Sequence, residues 1–175
     1  MIGDQPIALT GFMTAGKTTI GPQLAMRLGL DFADLDSILE EQQRASIPEL
    51  FERHGEESFR RLESEVLAGA LEGPPRVLSA GGGVVMLEKN RQLLARRARV
   101  VWLDLRFETV MDRLRRNPDS TRPLARSLGT EGLRVLHQKR RPLYASCANL
   151  RVDADRDAPG RLARRIALHL QREDS

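Results

Sequence analysis

Apolar and polar positions follow two periods along this chain, and each change of period marks an element. "PIALTG" (6–11) is a short apolar run ending at glycine, which predicts a buried strand. In "KTTIGPQLAMRLG" Ile20, Leu24 and Leu28 recur at helical spacing, and Gly29 supplies a C-terminal stop. "FADLD" (32–36) reads as a second short strand or strand end. Residues 37–72 are helical in pattern, broken near Pro48 and again near His54 and Gly55. Leu62, Val66, Leu67, Ala70 and Leu71 make one apolar face of that stretch. "RVLSAGGG" (76–83) returns to strand and breaks in three glycines, 88–98 is helical, and "RVVWLDL" (99–105) is a strong strand. Phe107, Val110, Met111 and Leu114 then keep helical spacing without a gap. "RRNPDSTRPLARSLGTEG" (115–132) has two prolines, two glycines and little periodicity, and predicts one long loop. A helix to about Ala148, a short strand "NLRVD" (149–153) and a last helix from about Pro159 to Leu170 complete the chain.

Strands alternating with helices imply parallel strands joined by right-handed crossovers, hence an α/β fold with helices on both faces of the sheet. Pro22 resists the pattern. It lies about two turns into the first helix, where it removes a hydrogen bond and should kink the axis.

Composition narrows the class. A length of 175 residues favours one domain, and 41% hydrophobic with 30% charged residues is ordinary for a globular protein. No apolar run approaches the roughly 20 residues that span a bilayer. "MIGDQPIALTG" lacks a basic region followed by an apolar stretch, so no signal peptide is expected. The single cysteine, Cys147, cannot form an internal disulfide, and a cytoplasmic setting follows most simply. The net charge of +4 comes mostly from arginine, but the arginines are scattered and aromatics, at 4%, are too few for stacking platforms. No nucleic-acid partner and no membrane are therefore expected. Arginines gathered in one cleft would instead suit anionic small molecules.

The chemistry begins at "GFMTAGKTT" (11–19), which fits G-x-x-x-x-G-K-[ST] between a predicted strand and a predicted helix. Backbone N–H groups from Thr14, Ala15, Gly16, Lys17, Thr18 and Thr19 are expected to meet phosphate at the helix N-terminus. Lys17 would reach the β- and γ-phosphates, and the Thr18 hydroxyl would bind Mg²⁺. The chain has no N-K-x-D element for guanine, and Ser79 and Ala80 stand where an ATPase motor would carry an acid. A small kinase using ATP and Mg²⁺ fits best.

Three further segments lie at predicted element ends, where ligands gather in open α/β sheets. In "DLD", Asp34 and Asp36 on an extended segment would face the same side, one holding metal-bound water and the other an attacking hydroxyl. The alternative is a helix N-cap, Asp36 preceding "SILEE". In "GEESFRRLE" (55–63) the apolar face turns Arg60 and Arg61 in different directions, so at most one reaches the cleft. In "AGGGV" (80–84) Gly81, Gly82 and Gly83 let the backbone come close to a ligand.

Taken together, G-x-x-x-x-G-K-T, D-L-D, G-E-x-x-F-R-x-x-E, G-G-G, R-P-L and K-R-x-P-L-Y resemble the shikimate kinase family in order and spacing, from about Ile7 to Pro159. The F-R-x-x-E segment followed by G-G-G separates that family from gluconate and adenylate kinases. The resemblance implies a three-layer αβα fold like that of nucleoside monophosphate kinases, with five parallel strands in order 2-3-1-4-5. It implies one domain with substrate-binding helices at about 37–72 and a lid at about 115–132. The reaction it implies moves the γ-phosphoryl group of ATP to the 3-hydroxyl of shikimate, in the pathway to chorismate and the aromatic amino acids, in a monomer.

Residue by residue, Asp36 stands at the family's hydroxyl-binding position, where it draws or positions the proton, and Asp34 at the position linked to Mg²⁺ through water. Arg60 and Arg140 match its carboxylate-binding arginines, and Gly81, Gly82 and Gly83 its substrate-binding glycines. Arg122, in "STRPL", matches the lid arginine, and Pro159 the adenine-binding loop. One departure falls in that loop, where Asp157 occupies a position that is arginine in some members. Two other readings remain, a catalytically silent ligand-sensing module and a kinase for another hydroxylated acid.

Overall fold

Every residue of β1 (Ile7–Thr10) is buried, as a central parallel strand covered on both faces must be. β2 (Asp31–Asp34), β3 (Arg76–Ser79), β4 (Arg99–Asp104) and β5 (Leu150–Asp153) complete the sheet, and all neighbouring pairs are parallel, in the order β2-β3-β1-β4-β5. The description, from a computed structural model, covers residues 5–117 and 123–173. The chain leaves β1 toward β2 on one side and later crosses from β3 to β4 on the other. That reversal opens a crevice beyond the carboxyl ends of the central strands.

The helices are α1 (Lys17–Leu28), α2 (Leu35–Gln43), α3 (Ile47–Glu72), α4 (Glu88–Arg97), α5 (Phe107–Arg116), α6 (Pro123–Cys147) and α7 (Pro159–Glu173), with a short 3₁₀ turn at Val84–Met86. α1 packs against α7, and α4 packs against α3 and α6. The core runs through the sheet, with Leu9, Leu24, Leu67, Leu78, Leu103 and Ile166 among its buried side chains.

Three sequence expectations need correction. β2 ends at Asp34, and Leu35 and Asp36 already belong to α2. Asp34 is the cap: its Oδ1 accepts from the N–H groups of Asp36 (2.9 Å) and Ser37 (3.3 Å), which stops the strand and starts the helix. The two aspartates therefore do not share an extended segment. The break expected near Pro48 lies just before it, at Arg44 (φ 49°), and Pro48 sits in the first turn of α3, where its missing N–H costs nothing. A reciprocal Ser46–Glu49 capping box starts that helix. The break at Gly55 is where the sequence put it (φ 72°, ψ 174°).

The loop read over 115–132 is mostly helix: α5 runs to Arg116 and α6 begins at Pro123, interrupted at Gly129 (φ 63°). Pro123 starts a helix and Gly129 kinks it, where the sequence pattern read a loop. Pro22, finally, lies inside an uninterrupted α1. Beside it, Gly21 lets the Phe32 ring of β2 press on the helix, since a β-carbon there would overlap the ring.

Candidate active site

The loop between β1 and α1 forms one floor of the crevice. Gly11 (φ 145°) and Gly16 (φ 89°) turn it, and Thr14 is held at φ 62°, a left-handed conformation unusual for a β-branched residue. Ala15 N–H donates to Phe12 O (3.2 Å) and Thr19 N–H to Gly16 O (3.0 Å), so these two expected phosphate donors are engaged within the loop. Gly16, Lys17 and Thr18 head the first turn of α1, the end where N–H groups lack acceptors within the helix. Lys17 is buried and folds back, its Nζ donating to the carbonyls of Gly11 (2.8 Å) and Phe12 (3.2 Å).

Beyond this floor, four charged side chains meet at the triple glycine. A β-carbon on Gly81 would stand 2.9 Å from Asp36 Oδ1 and 3.0 Å from Glu63 Oε1. One on Gly82 would lie 3.6 Å from Arg140 Nη1 and 3.7 Å from the Met13 amide nitrogen, and one on Gly83 would overlap the Arg60 guanidinium. Each glycine thus leaves room for a functional side chain. α3 brings Arg60, buried, while Arg61 points to solvent. α6 brings Arg140, also buried, whose Nε has no partner among the described residues.

Arg60 Nη1 donates to Glu63 at 2.8 Å, and its guanidinium rests near the stacked rings of Phe59 and Phe51, 5.3 and 5.9 Å from their centroids. Burial raises the Glu63 pKa, only partly offset by Arg60. Burial also lowers the Arg140 pKa and pushes the Tyr144 phenol up. Arg61 and Tyr144 excepted, these residues share one cavity of about 970 Å³ with the glycine-rich loop.

The other end of the cavity is less charged. Ala154, Pro159 and Leu162 wall it, with Arg113, Asn117 and Asp157 beside them. Arg113 ties the two sides together, donating to Thr14 O and Ala154 O, both at 2.8 Å. Asp157 pairs with Arg165 of α7 at 2.6 Å. Arg122 lies outside the described residues. The crevice thus has the glycine-rich loop in the middle, an end lined by two arginines and two carboxylates, and a less charged end. The sequence model of the shikimate kinases matches residues 13–171.

The chain belongs to the shikimate kinase family. The shikimate kinase of Symbiobacterium thermophilum is 42% identical over 151 residues, which are 86% of this chain and 87% of that protein. A solved shikimate kinase from Acinetobacter baumannii, in complex with shikimate, superposes with a TM-score of 0.91 at 36% identity, covering 99% of this chain and 96% of that one. The Aquifex aeolicus shikimate kinase gives 0.80 at 32% identity, over 97% and 98%. A Sinorhizobium meliloti gluconokinase, at 14% identity and a TM-score of 0.60, shares the fold alone.

Within the family frame, three residues on or behind the cavity wall had no role assigned from sequence. Glu63 stood in the F-R-x-x-E pattern, and its i, i+3 spacing from Arg60 was the available signal. Tyr144 similarly follows Arg140 by four residues. Arg113 works through two backbone carbonyls, whose side-chain identities say nothing, so no signal existed.

Proposed function

We propose that this chain transfers the γ-phosphoryl group of ATP to the 3-hydroxyl of shikimate, giving shikimate 3-phosphate and ADP. One observation carries the reading: Asp36, Glu63, Arg60 and Arg140 converge on the triple glycine, beside the phosphate cradle. A hydroxylated carboxylic acid needs a cationic grip for its carboxylate and acceptors for its hydroxyls, and this end offers both. Arg60 and Arg140 hold the carboxylate, Asp36 positions the attacking hydroxyl and takes its proton, and the glycine backbone lies close to the ring.

Lys17 leaves the loop carbonyls for the β- and γ-phosphates, where positioning and charge do most of the catalysis. Arg122, at the lid, places a further cation over the moving phosphoryl group, the lid being the end of α5, the first turns of α6 and the segment between. α2 and α3 are the substrate-binding helices of a single domain. The base lies along Pro159 and Leu162.

Among the described residues no three His, Cys, Asp or Glu side chains form a metal cage. Mg²⁺ does not require one, since it usually keeps waters and binds one or two protein oxygens plus phosphates. The Thr18 hydroxyl and the Asp34 carboxylate, both on the cavity wall, suit it, Asp34 acting through water while its Oδ1 caps α2. When bound, Mg²⁺ neutralises the charge shared by the β- and γ-oxygens.

Residues of a single chain line the whole cavity, so the reading needs no second copy. The buried thiol of Cys147 agrees with a cytoplasmic setting, and among the described residues no helix is long and apolar enough to cross a membrane.

A coupled assay of ADP release with ATP, Mg²⁺ and shikimate tests the reading, with quinate and gluconate as rival acceptors. Release should depend on shikimate. Asp36→Ala should cut kcat by about 10²–10⁴, and Arg60→Ala should chiefly raise the KM for shikimate. Purified protein that releases no ADP in response to shikimate overturns the proposal.

A further inference from the structure

Tyr144 is 1% exposed, and its ring stacks on Trp102 of β4 with centroids 6.0 Å apart. Trp102 is fixed in turn: the guanidinium groups of Arg141 and Arg151 lie over it and both donate to Asp104 Oδ2, at 2.8 and 2.6 Å. The sheet therefore places the ring without help from the hydroxyl. That hydroxyl donates to Gly82 O at 2.6 Å. The phenol has one hydrogen to give, and it goes to that carbonyl.

Arg140 and Tyr144 are four residues apart on α6 and share one face of the helix. We propose that Tyr144 is a positioning residue for the acid-gripping end, fixing the triple-glycine backbone by holding the Gly82 carbonyl close to the Arg140 guanidinium.

The consequence for Gly82 follows from peptide geometry. In a trans peptide the carbonyl of one residue and the N–H of the next point in opposite directions. Holding Gly82 O toward α6 therefore also fixes the direction of Gly83 N–H, and with it the plane of a peptide that lines the cavity. Three successive glycines carry no side chains to resist rotation of that peptide plane, and the tyrosine hydroxyl adds a fixed point to the turn bond from Val84 N–H to Gly81 O. Burial pushes the phenol pKa up, which keeps the hydroxyl a donor throughout the working pH range. The proposal rests on the acid-binding reading of this end for its kinetic consequence, and on the hydrogen bond alone for its structural one.

Tyr144→Phe keeps the ring and its stacking and removes only the hydroxyl. It should raise the KM for shikimate about tenfold while kcat changes less than threefold and the KM for ATP stays within twofold. A part that merely held the fold together would move both substrates. In the ligand-free protein, the amide resonances of Gly82 and Gly83 should shift and exchange faster in Tyr144→Phe than in wild type. That readout needs no acceptor, so it stands even if wild type fails to use shikimate. Unchanged glycine amides, or KM values for shikimate and ATP that rise together or not at all, overturn the proposal.

Discussion

Thr14 carries a cost that glycine would not. At φ 62° an L-residue is disfavoured by about 1–2 kcal/mol, whereas glycine gives back about 0.5–1 kcal/mol through its freer unfolded chain. Thr14→Gly should therefore stabilise the ligand-free protein by about 0.5–1 kcal/mol, the difference of those terms. For a chain of this length that raises Tm by roughly 1–4 °C, read by differential scanning calorimetry. The bond from Arg113 survives, because it ends on the Thr14 carbonyl. A lower Tm would mean that the threonine side chain returns more than its backbone costs.

Glu63 supplies a second test at this scale. Its native pKa is raised, mainly by burial, so the folded state binds the proton more tightly than the unfolded chain does. The stability that this contributes is present in full below the unfolded value of 4.5 and is lost as pH rises through the higher native value. Relative to Glu63→Gln, wild type should thus lose stability from about pH 4 upward in urea denaturation series. A gap that moves the other way would show that Arg60 outweighs burial.

Fixed spacing made Lys17, Thr18 and the three glycines legible in sequence. The environments of Thr14 and Glu63 were not legible, because a dihedral angle and a burial depend on residues far away in the chain.

At the scale of elements, the strands and most helices were legible because their apolar residues recur at strict periods. The segment 115–132 was misread because proline and glycine mark a helix start or kink as readily as a loop, and only packing decides between them. α1 makes the same point from the other side: its element was predicted, but its close approach to Phe32 of β2 at Gly21 was not. Gly21 is where that approach can be tested. In Gly21→Ala the new methyl meets the Phe32 ring, and either the ring or α1 must shift. Overpacking of this kind costs about 1–3 kcal/mol, and urea denaturation should show a lower midpoint with an unchanged slope. Because α1 begins at Lys17, the shift should also weaken ADP binding. An alanine variant as stable as wild type would indicate that the ring has free space behind it.

For the whole molecule, the fold sets two segments side by side at the carboxyl end of the sheet, the glycine-rich loop after β1 and the triple glycine after β3, and the proposed function gives each its own ligand. If these are separable, a change confined to the second should leave the first intact, and Gly83 is suited to the test. Its φ of −94° and ψ of −10° are open to any residue, so alanine there brings no backbone strain. The added methyl would instead collide with the Arg60 guanidinium, the far end of a flexible side chain that can swing aside. In doing so Arg60 leaves both the glycine and its place beside Glu63. Gly83→Ala should therefore keep its Tm within a few degrees of wild type, bind ADP within twofold, and lose shikimate affinity at least tenfold, as titration calorimetry would record. A Gly83→Ala protein that binds shikimate like wild type would mean that Arg60 does not grip the acid. One that loses ADP and shikimate together would mean that the two ends of the cavity form a single cooperative unit.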